Sequence, residues 1–218
     1  MELWMLWTHA LEAGVGLIAA KFGLSEAAAI IAVTLIARAT MMPVSLASAY
    51  RMQVNKEAVA RLKPALEALR ERLKGDPAEL ARQTMSLYRE NGVRFVDRLS
   101  LLNIGSQSLF GLGIFQALNR MSFHSKFLWV ANLAKPDLWL TLLVGALMLL
   151  GMALMPGALH ETNMLLMLAV AVLVSVLAIA SLPSALGLYW ATSNAVTVVQ
   201  TVALRWLLSR ERFKKSAS

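Results

Sequence analysis

Residues 27–47, AAAIIAVTLIARATMMPVSLA, constrain this chain more than any other stretch. The run is long and apolar enough to cross a bilayer, for which ~20 residues suffice, yet it carries Arg38 well inside. An arginine at the centre of a membrane helix costs on the order of 3 kcal/mol on insertion scales. Either Arg38 snorkels to the nearer interface, or it occupies a hydrated place where its charge is used. Residue 47 is nine positions away, about 14 Å at the helical rise, a long reach for a side chain. Intramembrane charges are functional by default, so the second reading is the stronger.

Composition agrees with a membrane protein. The 218 residues are 58% hydrophobic and only 16% charged, with a mean hydropathy of +0.60; soluble domains carry roughly 25% charged residues. There is no cysteine, which excludes disulfides, thiolate metal sites and a cysteine nucleophile. His9, His124 and His160 are scattered without metal-ligand spacing. No Walker-type phosphate loop occurs. The expectation is therefore a protein without a metal or nucleotide cofactor.

The fold expected is all-α and polytopic: five transmembrane helices, an N-terminal interfacial helix and a cytoplasmic antiparallel helical hairpin. Residues 1–23 lack the basic start of a cleavable signal, and their apolar run is broken by His9 and Glu12. Trp4, Trp7 and Leu11 recur at helical spacing, which suits an amphipathic helix at the interface; a short re-entrant or sixth membrane segment is the alternative. Ser25 can cap the first membrane helix, residues 26–50. On it Thr34, Arg38, Met41 and Ser45 are spaced 4, 3 and 4 and share one face, with Thr34 and Ser45 too weak to partner a full charge. Pro43 should kink it.

Residues 51–98 are polar and hold 11 of the 21 basic residues. Val59, Leu62, Leu66, Leu69 and Leu73 form a 3-4-3-4 seam. Gly75-Asp76-Pro77 is a turn, and Leu80, Thr84 and Leu87 continue the seam on a second helix. The basic excess suits an anionic partner such as lipid headgroups or RNA. The second span, residues 99–118, is the least apolar: Ser100, Asn103 and Gln107 share a face, and Gly105, Gly111 and Gly113 permit close helix approach. Residues 119–136 form an external loop with Phe123, Phe127 and Trp129 as aromatic anchors. Further spans follow at 137–155, 164–182 and 185–207, and on the last one Tyr189, Ser193 and Gln200 fall on one face with Thr197 beside it. Residues 208–218 are a basic tail.

Orientation follows from basic residues. The hairpin carries 11, and the end of the last span with the tail carries 5 (Arg205, Arg210, Arg212, Lys214 and Lys215), against Lys21, Arg120, Lys126 and Lys135 on the other side. With five spans, hairpin and tail share a side, which the positive-inside rule makes cytoplasmic. The N-terminus then lies outside.

The runs TLIARATMMPVSL, YRMQ, LKPALEALRERLKGDPAEL, MSLYRENGV, KFLWVANLAKPDLWLTLL and LPSALGLYWATSNAVTVVQ closely resemble the YidC-type membrane protein insertases, with their mitochondrial oxidase-assembly and chloroplast albino relatives. The resemblance covers residues 24–210 in order and spacing. Its specific parts are Arg-x-x-x-x-Pro, the Lys-Pro hairpin and Pro-Ser-x-Leu-x-Leu-Tyr-Trp. It implies a water-filled groove open to cytoplasm and lipid, with Arg38 as the groove arginine and Thr34, Ser45, Asn103, Gln107, Tyr189, Ser193 and Gln200 as its polar lining. It also implies nascent membrane proteins as clients, a ribosomal contact through the basic tail and hairpin, a secretion channel as partner, and anionic lipid. RFVDRLSLLNIGSQSLFG departs from the family pattern, which has Asn-Pro, then Cys-x-Pro and Gln-x-Pro entering the second span. An ungapped match puts Gly105 at the family's glutamine, between Asn103 and Gln107, and leaves open which of these takes the polar role. Without the extra N-terminal span and large outer domain of Gram-negative members, the chain reads as a minimal member or a paralogue with narrower clients.

The mechanism implied is insertion of short or single-span proteins, in which Arg38 attracts acidic residues of the client's outward-moving segment. A different class remains on the residues alone: a small ion or solute transporter with Arg38 as an anion site. No inverted repeat supports it. A structural assembly partner of a larger complex is a third reading.

Overall fold

The computed structural model describes residues 1–93, 97–156 and 162–216. Among the described residues it is all helical: α1 (Glu2–Phe22), α2 (Glu26–Arg72), α3 (Pro77–Glu90), α4 (Arg98–Arg120), α5 (Leu138–Ala153), α6 (Thr162–Ile179) and α7 (Ser184–Ser216). Three of these, α1, α2 and α4, are long and apolar enough to cross a membrane, while Leu138–Ala153 and Ala169–Ile179 are apolar but shorter.

The helix ends follow local chemistry. α1 stops at Gly23, whose φ of 61° lies in the left-handed region that costs glycine nothing. The Ser25 hydroxyl then accepts the Ala28 N–H at 3.3 Å. Asp76 accepts the Glu79 N–H at 3.0 Å, with Pro77 in the first turn of α3. Asp137 accepts the Leu140 N–H at 2.7 Å and starts α5.

Two boundaries differ from the sequence expectation. The first span and the first hairpin arm form one helix, α2, which passes residue 50 without a break, because nothing between Tyr50 and Val54 is a helix breaker. Likewise α7 continues from the last span into the tail as far as Ser216. The tail's side chains beyond Arg210, and the short loop expected after Pro156, lie outside the described residues.

The chain divides into two compact units, Met1–Pro43 with Gly105–Ser218, and Val44–Ile104. In the first, the core holds Ile30, Ile114, Leu118, Leu133, Val144 and Leu186. Helices in lipid gain no hydrophobic drive from meeting each other, so close approach at small residues carries the packing. Leu140 of α5 fills the space at Gly187 of α7, where an added Cβ would stand 2.8 Å from it. Val176 of α6 does the same at Gly145 of α5. Gly113 of α4 receives Trp7 and Leu11 of α1. The Trp7 indole N–H donates to the Leu109 carbonyl at 3.1 Å, and that of Trp4 to Gln116 Oε1 at 2.5 Å. The stripe expected to anchor α1 in the interface is thus the face that packs on α4.

The loop between α4 and α5 is ordered by hydrogen bonds. The Glu26 carboxylate accepts from the His124 and Ser125 N–H groups, each at 3.1 Å, and from Ser125 Oγ at 2.8 Å. Phe123, expected as an anchor, is buried, because it packs into the core with Val130 and Leu133.

In the second unit, the half-buried residues between 59 and 73 are the seam residues, Val59, Leu62, Leu66 and Leu69 on α2 and Leu73 just past its end. On α3, Leu80, Thr84 and Leu87 are half-buried too. Arg72 Nη2 donates to Gln83 Oε1 at 2.6 Å. At the start of α4 the Asp97 carboxylate accepts the Ser100 N–H at 2.6 Å and meets Arg51 Nη1 at 3.4 Å. Those contacts hold the Asp97 carboxyl below its ordinary range, the Ser100 N–H being the larger cause.

Candidate functional site: the polar cluster at Arg38

Arg38 lies mid-way along the apolar part of α2, where the helix period turns it inward: it is only 8% exposed. Its guanidinium reaches two other helices of the same unit. Nη1 donates to Gln107 Oε1 on α4 at 2.5 Å, and Nη2 to Thr197 Oγ1 on α7 at 2.7 Å. The Thr197 hydroxyl itself donates to the Ser193 carbonyl at 3.1 Å. A hydroxyl has one donor and two lone pairs, so Thr197 can do both at once. The Arg38 Nε–H is buried and has no partner among the described residues.

The acceptors are neutral. They satisfy two N–H groups but leave the full positive charge. Among the described residues no ion pair includes Arg38. The sequence offers none nearby either: no Asp or Glu lies between Glu26 and Glu57, or between Asp97 and Asp137. A buried charge without a counter-ion is costly. It is tolerable where water or an anionic ligand reaches it.

Of the residues expected to line a groove, the structure gathers Arg38 with Gln107, and Ser193 through Thr197. Thr34, one turn before Arg38, is buried and donates to the Ile30 carbonyl of its own helix at 2.8 Å, so its hydroxyl is spent locally. Tyr189 is buried, edge-on to Phe110 with ring centroids 6.2 Å apart. Its hydroxyl would stand 3.2 Å from a Cβ placed on Gly111. Gln200 is half-buried. Ser45 and Asn103 belong to the second unit, Ser45 buried and Asn103 half-buried. On α4, Gln107 is bonded to Arg38. Thr197 carries more of the site than the sequence reading gave it. The signal was there, since Tyr189, Ser193 and Thr197 repeat at intervals of four, but a threonine beside stronger polar groups attracts little weight.

Next to the cluster an open cleft is lined by Ser108, Gly111, Leu112 and Phe115 of α4 and by Tyr189 and Trp190 of α7. Among the described residues no cluster of His, Asp and Glu could hold a metal ion.

The profile of the family described as 60Kd inner membrane protein matches residues 17–211. A "Membrane protein insertase YidC 1" of Listeria monocytogenes is 31% identical over 193 residues, covering 84% of this chain and 65% of the relative, so the chain spans just under two thirds of that protein's length. A "Membrane protein insertase YidC 2" of Streptococcus pneumoniae is 33% identical over 196 residues, 84% of this chain and 68% of the relative. A "Membrane protein insertase YidC" of Clostridium tetani is 28% identical over 202 residues, 88% of this chain and 87% of the relative.

Proposed function

The chain belongs to the 60Kd inner membrane protein family, the YidC-type insertases, and on that premise we propose that it moves short or single-span client proteins into the bacterial inner membrane. The observation that carries the reading is the guanidinium of Arg38, held by neutral acceptors on two helices and, among the described residues, without a counter-ion. Arg38 attracts a carboxylate in the client segment that must cross. Gln107, Thr197, Tyr189, Ser193 and Gln200, with Thr34, line a hydrated groove open to cytoplasm and lipid. Water in that groove spares the client the several kcal/mol per polar backbone group that bare hydrocarbon would cost. The client's apolar segment leaves along the cleft between α4 and α7. No bond is made or broken, so the protein is not an enzyme.

The same reading gives five crossings, by α2 up to about residue 50, α4, α5, α6 and α7, with α1 at the outer interface and residues 51–98 as a cytoplasmic hairpin. The 16 residues of α5 rise about 24 Å against ~30 Å of hydrocarbon, which supports a locally thinned membrane. Nascent membrane proteins are the clients. The basic hairpin and tail face ribosomal RNA or anionic lipid, and a secretion channel is a further partner. The test is replacement: deplete the host insertase, supply this chain as wild type or Arg38→Ala, and follow insertion of a small client. Wild type should restore insertion and Arg38→Ala should lose most of it. Failure of both, with solute flux through the purified protein, would instead establish a transporter.

A further inference from the structure

We propose that the turn carrying Leu128 and Trp129 is a membrane-surface anchor, holding both side chains at the boundary of lipid headgroups and acyl chains. The proposal rests on α4 and α5 crossing the membrane, since this loop joins them. Phe127 and Val130 exchange two backbone hydrogen bonds, of 2.9 and 2.8 Å, leaving Leu128 and Trp129 as the two central residues of a tight hairpin turn. Leu128 has φ 51°, among the described residues the one positive φ at a non-glycine. Such turns call for Gly, Asn or Asp there. A leucine in the left-handed region is strained, because its Cβ crowds the following carbonyl oxygen. Facing water, this turn would combine backbone strain with two exposed apolar side chains, Leu128 at 75% and Trp129 at 51%. Against lipid the second penalty becomes a gain.

The tip cannot fold away. Phe123, Val130 and Leu133 root the loop in the core. Three bonds to the Glu26 carboxylate hold one side of it. On the other, the Lys135 carbonyl accepts the Ser184 N–H at 3.0 Å and its hydroxyl at 2.6 Å. The Trp129 indole N–H donates to Asp137 Oδ1 at 3.2 Å, which sets the ring beside the first turn of α5, where Leu138 and Trp139 are exposed at 65% and 69%. The apolar surface of the tip therefore continues into the apolar helix α5. Exposed Lys126 and Lys135 flank it, placed to meet lipid phosphates. Tryptophan favours that depth. These features select a lipid surface as the occupant over a folded partner.

The chain has no cysteine, so single nitroxide labels can be placed on the full-length protein in nanodiscs of phosphatidylethanolamine and phosphatidylglycerol. Labels at Leu128→Cys, Ala134→Cys and Leu149→Cys are compared by collision with oxygen and with a water-soluble nickel chelate. Position 128 should show a several-fold higher oxygen-to-nickel ratio than exposed position 134 of the same loop, and a lower one than position 149 within α5. If cysteine at 128 disturbs the turn, a label at Trp129→Cys should give the same depth. Equal nickel access at 128, 129 and 134, with 149 buried in lipid, overturns the anchor alone. Nickel access at 149 overturns the spanning helices and the anchor together. Shielding of 128 that appears only after a second protein is added also overturns it.

Discussion

The Arg38 guanidinium meets an amide and a hydroxyl, and that choice of neutral partners separates holding the charge from cancelling it. Two substitutions test the distinction. Thr197→Val removes the acceptor of Nη2 and leaves a buried N–H unpaired, so it should lower stability by about 1–3 kcal/mol, read by thermal unfolding in detergent, with Thr197→Ser restoring it. Gln107→Glu places a carboxylate where the amide oxygen now accepts from Nη1. It should leave the fold intact while lowering client insertion, because the arginine then carries its own counter-ion. Increased insertion by Gln107→Glu would mean that the charge of Arg38 is not the working feature. Arg38 and Gln107 were legible as residues because a charge and an amide inside apolar runs stand out. That they touch was not, since the period of each helix identifies a face but not which faces meet.

Among the elements, α1 shows where pattern reading runs out. Its Trp4, Trp7 and Leu11 stripe has the spacing of an interfacial helix and also of a packing face, and one helix period cannot separate the two. The deciding residue is Gly113 on another helix: a Cβ there would run into the Trp7 indole and stand 2.8 Å from Leu11. Gly113→Leu should therefore undock α1 at a cost of about 1–3 kcal/mol. A cysteine at Leu11, buried at 9%, should be slow to react with maleimide in the parent chain and fast in the Gly113→Leu background. The start of α4 offers a second test. Asp97 accepts the Ser100 N–H and pairs with Arg51, and its carboxyl titrates below the ordinary value. A depressed carboxyl contributes stability that is fully present above its unfolded value, near 4, and is lost as the pH falls through the lowered one. Amide protection at residues 100 and 101, taken relative to the intrinsic exchange rate at each pH, should hardly change from pH 7 to 5 and should fall below about pH 4. Asp97→Asn should remove that acid step. The cap at Ser25, by contrast, was readable in advance, because capping depends on residues within a few positions of each other.

For the whole molecule, seven helices among the described residues, three of them long and apolar enough to span a membrane, are joined to a family whose relatives are named insertases. Single cysteines at Gly75 and Lys135 test the proposed orientation: the first should react with an impermeant maleimide only from the cytoplasmic side, the second only from outside. The fold class was legible because apolar runs and turn signals are local. The continuity of α2 past residue 50 was hidden, because the change from apolar to charged composition marks a change of surroundings and not a break in the helix. The central claim is that Arg38 draws in a client carboxylate, and a double-mutant cycle measures it most directly. The full-length chain, wild type or Arg38→Ala, is reconstituted in liposomes and offered a single-span client with either an Asp or an Asn in its translocated segment. The account predicts that Arg38→Ala sharply reduces insertion of the Asp client and affects the Asn client much less. An equal loss for both clients, or none for either, would contradict it.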